Sequence, residues 1–159
     1  MRIVLDTNIW LDWFVFNDPT INALKTWSAK PENTIVIDEA CRQELISVLA
    51  YEKFQLNTPH QIEIARNVDK ICEAYNSYNR DRASLEVWCK DPADEKFLKL
   101  ALNSDSDFLV TKDWDLLKRK NYRVKNFNQR NLKIITPISW NKQYSQFEQQ
   151  QSSFTQDIS

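Results

Sequence analysis

The sequence predicts an α/β protein whose parallel sheet is covered by helices on both faces. Three observations carry this reading. Ile3-Val4-Leu5, Ile35-Val36-Ile37 and Phe108-Leu109-Val110 are short uncharged apolar runs, as expected of strands buried on both sides. The segments between them show apolar residues at helical spacing. Strands separated by helices need crossover connections, which favour a parallel sheet.

The first strand is expected over Arg2 to Leu5. A helix follows, capped by Asp6 or Thr7, with Ile9, Trp10, Trp13 and Phe14 apolar. Pro19-Thr20 starts a second helix to about Ser28, with Leu24 and Trp27 inward. Pro31-Glu32-Asn33 reads as a turn and Thr34 to Ile37 as a strand. Asp38 caps a helix carrying Ala40, Cys41, Leu45, Val48 and Leu49. Thr58-Pro59-His60-Gln61 reads as a capping box opening a long helix with Ile62, Ala65, Val68, Cys72 and Tyr75 on one face.

Leu85, Val87 and Cys89 alternate with polar or exposed-type residues and predict an extended piece. Asp91-Pro92 starts a helix with Phe97, Leu98, Ala101 and Leu102 inward. Asp107 to Thr111 is the next strand, followed by a short helix through Leu116 and Leu117. Asn121 to Asn131 is a polar, basic connection, and Leu132 to Thr136 a last strand halted by Pro137. A final helix takes Ile138, Trp140 and Tyr144. One domain is expected over residues 1–145, with a Gln- and Ser-rich tail over 146–159.

Composition narrows the function. The 159 residues include no glycine, which excludes the glycine-rich phosphate loop and the dinucleotide-binding fingerprint. Fourteen asparagines are expected to take over much of the turn and left-handed backbone work. Cys41, Cys72 and Cys89 are widely spaced and read as reduced core residues. No apolar stretch is long enough to span a membrane, and Asp6 and Asp12 break any signal-peptide pattern, so a cytoplasmic location is expected. The net charge is −1, yet Lys112 to Lys133 holds eight Lys or Arg against two acids. Such a segment can attract a polyanion.

Four acids stand out against this background. Asp6 and Asp113 lie just past the ends of two buried strands, where open parallel sheets bind ligands. Glu44 shares the inward stripe of its helix with Cys41 and Val48. Asp94 sits on the inward stripe of the first turn of its helix, three before Phe97. Each acid also has a purely structural reading. Asp6 and Asp113 could be helix caps, Asp94 could close a capping box with Asp91, and Glu44 could be a surface or ion-paired residue. Together the four point to one anionic pocket. Oxygen donors without His or Cys favour Mg²⁺ or Mn²⁺. His60, the only histidine, is expected on the surface at a helix start. A metal-activated water attacking phosphorus is the chemistry this set suits.

Val4-Leu5-Asp6-Thr7-Asn8, Glu44-Leu45, the run Asp91 to Leu98 and Leu109-Val110-Thr111-Lys112-Asp113 resemble the PIN-domain ribonucleases. Within them the sequence is most similar to the toxin components of toxin–antitoxin systems. The resemblance spans roughly residues 1 to 140. It implies a three-layer α/β/α sandwich with a central parallel sheet, and Mg²⁺- or Mn²⁺-dependent cleavage of RNA. It implies that Asp6, Glu44, Asp94 and Asp113 form the acidic site. Asp6 and Asp94 would be direct metal ligands, Asp113 would complete the shell or act through water, and Glu44 would position metal or water. Asn8 and Thr111 match positions that orient the acids. An antitoxin protein and a second copy of the chain are the implied partners. Asp91, Glu95 and Asp115 flank the motif acids and leave alternative registers open. Asn103-Ser104-Asp105-Ser106 stands where relatives commonly place small residues, often glycine.

The basic stretch at Lys118, Arg119, Lys120, Arg123 and Lys125 would engage an RNA backbone. Trp10, Trp13 and Trp114 lie near the acidic motifs and are candidates for base stacking or for the core. Two other functions are compatible with this sequence. One is a catalytically inactive RNA- or partner-binding module of the same fold. The other is a haloacid-dehalogenase-like phosphatase, which needs a second Asp two residues after the first, where this chain has Asn8.

Overall fold

The computed structural model describes residues 1–76, 87–118, 121–124 and 132–145. Its centre is a five-stranded parallel sheet of β1 (Arg2–Leu5), β2 (Thr34–Ile37), β3 (Cys72–Ala74), β5 (Phe108–Val110) and β7 (Lys133–Ile135). The strand order is β3-β2-β1-β5-β7. Ile3, Val4 and Leu5 point alternately to opposite faces, and all three are buried. Both faces of the sheet are therefore covered, giving the three-layer α/β/α sandwich. The helices are α1 (Thr7–Phe14), α2 (Asn22–Ser28), α3 (Glu39–Leu49), α4 (Thr58–Ile71), α5 (Glu95–Asn103), the short α6 (Trp114–Leu117) and α7 over 137–145. No helix among the described residues is long and apolar enough to cross a membrane.

The strands expected at residues 2–5, 34–37, 107–111 and 132–136 are present, the last two shortened at their ends. The long fourth helix differs. It stops at Ile71 and passes directly into β3, which pairs in parallel with β2. Cys72 and Tyr75 therefore belong to strand and loop rather than to the helix. Its buried stripe is Ile64 and Val68, while Ile62 is exposed. The cap differs too: Asn57 Oδ1 accepts the His60 amide at 2.9 Å, and Thr58 is already helical. In α3, Ala40 is exposed and the inward stripe is Cys41, Leu45 and Leu49.

A small second sheet lies beside α5, where the sequence predicts only an extended piece and a polar connection. Within it, β4 (Val87–Cys89) pairs antiparallel with β6 (Tyr122–Val124), which lies in the expected polar connection. Val87 and Cys89 pack on Leu98 and Leu102 of α5. Asn17, Gln55 and Asp105 take positive φ, so one Asn, one Gln and one Asp do the left-handed work that glycine does elsewhere. Cys41, Cys72 and Cys89 are free, and burial pushes each thiol up, Cys72 to about 12 and Cys89 to about 11. Leu85 and the tail at 146–159 lie outside the described residues.

The core runs through the sheet. Leu109 is fully buried on the strand between β1 and β7. Leu109→Ala is expected to cost about 2–5 kcal/mol. Urea unfolding followed by circular dichroism would read this as a lower midpoint at unchanged slope.

Candidate active site

Strand order reverses direction at the β1–β5 pair, because β2 and β3 lie to one side of β1 and β5 and β7 to the other. The carboxyl ends of such a pair bound a crevice. Leu5 is in register with Val110, so the next residues, Asp6 and Thr111, are neighbours. The ladder continues one step, with the Asp6 amide donating to Val110 O at 3.0 Å and the Thr111 amide to Ile135 O at 3.0 Å.

Asp6 sits at the N-cap of α1, but its carboxylate makes no capping bond. Instead Oδ2 accepts the Thr111 hydroxyl at 2.7 Å and lies 3.5 Å from the Asn8 amide nitrogen. Asp6 thus holds the expected cap position while Thr111, more than the Asn8 backbone amide, holds its carboxylate. Asp6 is 5% exposed. Burial pushes its carboxyl above the ordinary range, Glu44 and Asp113 add to this, and the Thr111 bond opposes it.

Asp94 also occupies an N-cap position without capping, one residue before α5. The expected helix start at Asp91-Pro92 is a turn, in which Asp91 Oδ1 accepts the Ala93 amide at 2.9 Å. Asp94 is therefore outside the helix. Burial, then Asp113, Asp91, Asp6 and Asp115, push its carboxyl up to about 7. Acids from β1, the α5 entry and the α6 entry thus feel one another. Asp113 does cap α6, its Oδ1 accepting the Asp115 amide at 2.7 Å; among the described residues its Oδ2 accepts no hydrogen bond. Asp115 in turn accepts from Asn121 Nδ2 at 2.8 Å. Glu95 turns away to pair with Lys99 along α5.

Glu44 is differently placed. Its Oε1 accepts the Thr7 hydroxyl at 2.8 Å, and its Oε2 is ion-paired with Lys96. It raises the proton affinity of Asp6, so it borders the cluster, but its charge is already matched. Lys96 was invisible to sequence reasoning because its role depends on α3 and α5 meeting, which no local pattern reports. The same holds for Asp12 and Lys112. Asp12 is 2% exposed on α1, and Lys112 Nζ lies 2.6 Å from its Oδ2, which receives no well-angled hydrogen bond. Thr111, Lys112 and Asp113 are consecutive, so three neighbouring side chains fix this loop to Asp6, to α1 and to α6.

Among the described residues, no three His, Cys, Asp or Glu side chains are arranged to hold one ion. The donor set nevertheless suits a hard dication. It is all oxygen, it is mutually repulsive, and Asp6 and Asp94 carry no positive partner among the described residues. Trp10 is in the core and Trp13 packs tilted against Trp10 and stacks on Phe14, whereas Trp114 is exposed. Of the basic stretch, Lys118 and Arg123 are described, while Arg119, Lys120 and Lys125 are not.

A sequence profile of the PIN domain matches residues 2–115, from β1 through the acids at the start of α6. The chain belongs to the PIN-domain family. Among solved structures, VapBC2 from Rickettsia felis bound to a DNA fragment from their promoter resembles this PIN domain with a TM-score of 0.54 and 14% identity, over 86% of this chain and 98% of that one. That likeness is one of fold. VapBC-1 from nontypeable Haemophilus influenzae gives a TM-score of 0.47 at 18% identity, over 71% of this chain and 87% of that one. No curated protein matches the chain.

Proposed function

We propose that this PIN domain, spanning residues 1–145, is a divalent-metal-dependent endoribonuclease that hydrolyses RNA phosphodiester bonds. The observation that carries the reading is the gathering of acids just past the carboxyl ends of β1 and β5, where Thr111 holds Asp6 and where burial, then Asp113, Asp91, Asp6 and Asp115, push the Asp94 carboxyl up. Uncompensated acids gathered in this way are costly unless a cation joins them.

Asp6 and Asp94 would hold Mg²⁺ or Mn²⁺, with Asp113 completing the shell directly or through water. The ion would supply Lewis acidity towards a phosphate oxygen and a more acidic water. Thr111 holds Asp6 at Oδ2, and Asn8 sits beside that same oxygen, so the carboxylate enters the reaction already oriented. Asp113 Oδ2 can take the proton of an attacking water. Glu44 serves that role poorly, since Lys96 and Thr7 occupy its two oxygens. Lys118 and Arg123 would meet the RNA backbone, and binding should weaken as salt rises. By analogy with VapBC2, an antitoxin protein is the proposed partner; a second copy of the chain is a further one that the family resemblance implies.

The Lys96–Glu44 pair favours one alternative, a non-catalytic RNA- or partner-binding module, because it withdraws one of the four family acids. One experiment separates the two. The full chain is incubated with single-stranded RNA in Mg²⁺ or Mn²⁺, or in EDTA. Cleavage is expected with the metals, none in EDTA, and a rate lower by about a hundredfold or more in Asp94→Asn. RNA bound but intact under every condition would select the module.

A further inference from the structure

We propose that Trp114, with Lys118 against its ring, is a stacking platform for an unpaired base of single-stranded RNA beside the acid cluster, and that Trp88 with Arg123 forms a second platform. This rests on the nuclease reading above and names how that site would select its substrate.

Four of the six tryptophans lie in or against the core, but Trp114 is 65% exposed and Trp88 54% exposed. Tryptophan is highly buried on average, so an indole more than half exposed is unusual. Trp114 directly follows Asp113 and opens α6. Its backbone is firmly held: Leu116 is buried, Asp113 accepts the Asp115 amide, and Asn121 donates to Asp115 at 2.8 Å. Lys118 Nζ lies 4.3 Å from the centre of the Trp114 ring. Among the described residues no aromatic ring stacks on it, and the exposed indole leaves area for a base.

Trp88 is placed by strand alternation. Val87 and Cys89 point into the α5 contact, which turns Trp88 outward, and its register partner on β6 is the exposed Arg123. The two platforms are joined through Asn121, whose amide donates to Lys118 O at 2.9 Å and whose carbonyl accepts the Lys90 amide at 2.7 Å. Beyond Lys90 the chain runs directly into the loop that carries Asp94. Each indole is thus tied to one flank of the acid cluster.

Both indoles are bordered by a cation. That alternation suits a strand of alternating bases and phosphates better than an apolar protein face. Bases inside a duplex cannot stack on a side chain, so the arrangement selects unpaired RNA.

The test uses the Asp6→Asn variant of the 159-residue chain in Mg²⁺, so that RNA stays intact, and a dye-labelled eight-nucleotide single strand with a hairpin duplex as comparison. Adding Trp114→Ala is expected to weaken single-strand binding at least fivefold, with Trp114→Phe within about twofold of the parent and hairpin binding unmoved. Trp88→Ala is expected to give a smaller loss in the same direction. In the cleaving protein, Trp114→Ala should raise KM more than it lowers kcat. Cleavage by the unsubstituted chain, with single-strand binding and KM unchanged by Trp114→Ala, would overturn the platform and leave the nuclease reading standing. Absence of both binding and cleavage in the parent chain would sink both proposals.

Discussion

Asp6→Asn is expected to lower RNA cleavage by about a hundredfold or more, and at the same time to raise the melting temperature of the metal-free protein. The two effects have one source. Asp6 is buried, its carboxyl is pushed above the ordinary range, and Glu44 and Asp113 add to that push. Asparagine keeps an oxygen for the Thr111 hydroxyl and removes the charge. The functional loss is then the counterpart of the stability gain, as at other sites where strain serves activity.

The pH dependence has a definite sign. Asp94 in the folded protein holds its proton up to about 7, and Asp6 is raised in the same direction. The unfolded chain releases these protons near 4. Between about 4 and 7 the folded state therefore binds more protons, so metal-free stability falls as pH rises across that window. Asp18 and Asp69 are lowered and act in the opposite sense, but only below the ordinary carboxylate range. Thermal melts from pH 5 to 8 in EDTA should show a declining midpoint, flatter in Asp6→Asn and in saturating Mg²⁺. A midpoint that rises with pH over this range would contradict the acid cluster.

The second large effect concerns Lys112. Its ammonium is the only compensation among the described residues for the Asp12 oxygen it touches. Lys112→Met leaves that buried acid unmatched, and a loss of about 3 kcal/mol is expected, at the low end for buried pairs because Lys112 is half exposed. Adding Asp12→Asn should recover most of it. Urea unfolding of the two single variants and the double variant would yield the coupling directly. A single-variant loss below about 1 kcal/mol would mean that the pair contributes as little as an exposed one.

Much of this was legible in the chain. Ile3-Val4-Leu5, Thr34 to Ile37 and Phe108-Leu109-Val110 announce strands because residues buried on both faces leave no polar alternation. Once the sheet is parallel, Asp6 and Asp113 must lie at its carboxyl edge. What failed to show was set by contacts distant in sequence. Cys72-Glu73-Ala74 carries no apolar run, since β3 lies at the end of the described sheet and only Cys72 is half-buried. Its residues also continue the helical spacing of α4, which hid the boundary. Ile62 and Ile64 offer two competing stripes, and only packing chooses Ile64. The positions of Lys96 beside Glu44 and Lys112 beside Asp12 follow from helix and loop placement, not from any motif.

The outermost described strands, β3 and β7, are three residues each, and each includes a charged residue, Glu73 and Lys133. Short charged borders make poor templates for an incoming backbone. Association with another polypeptide by sheet extension is accordingly disfavoured along both borders. Pairing, whether with a sister molecule or with an unlike protein, is left to surfaces built from side chains.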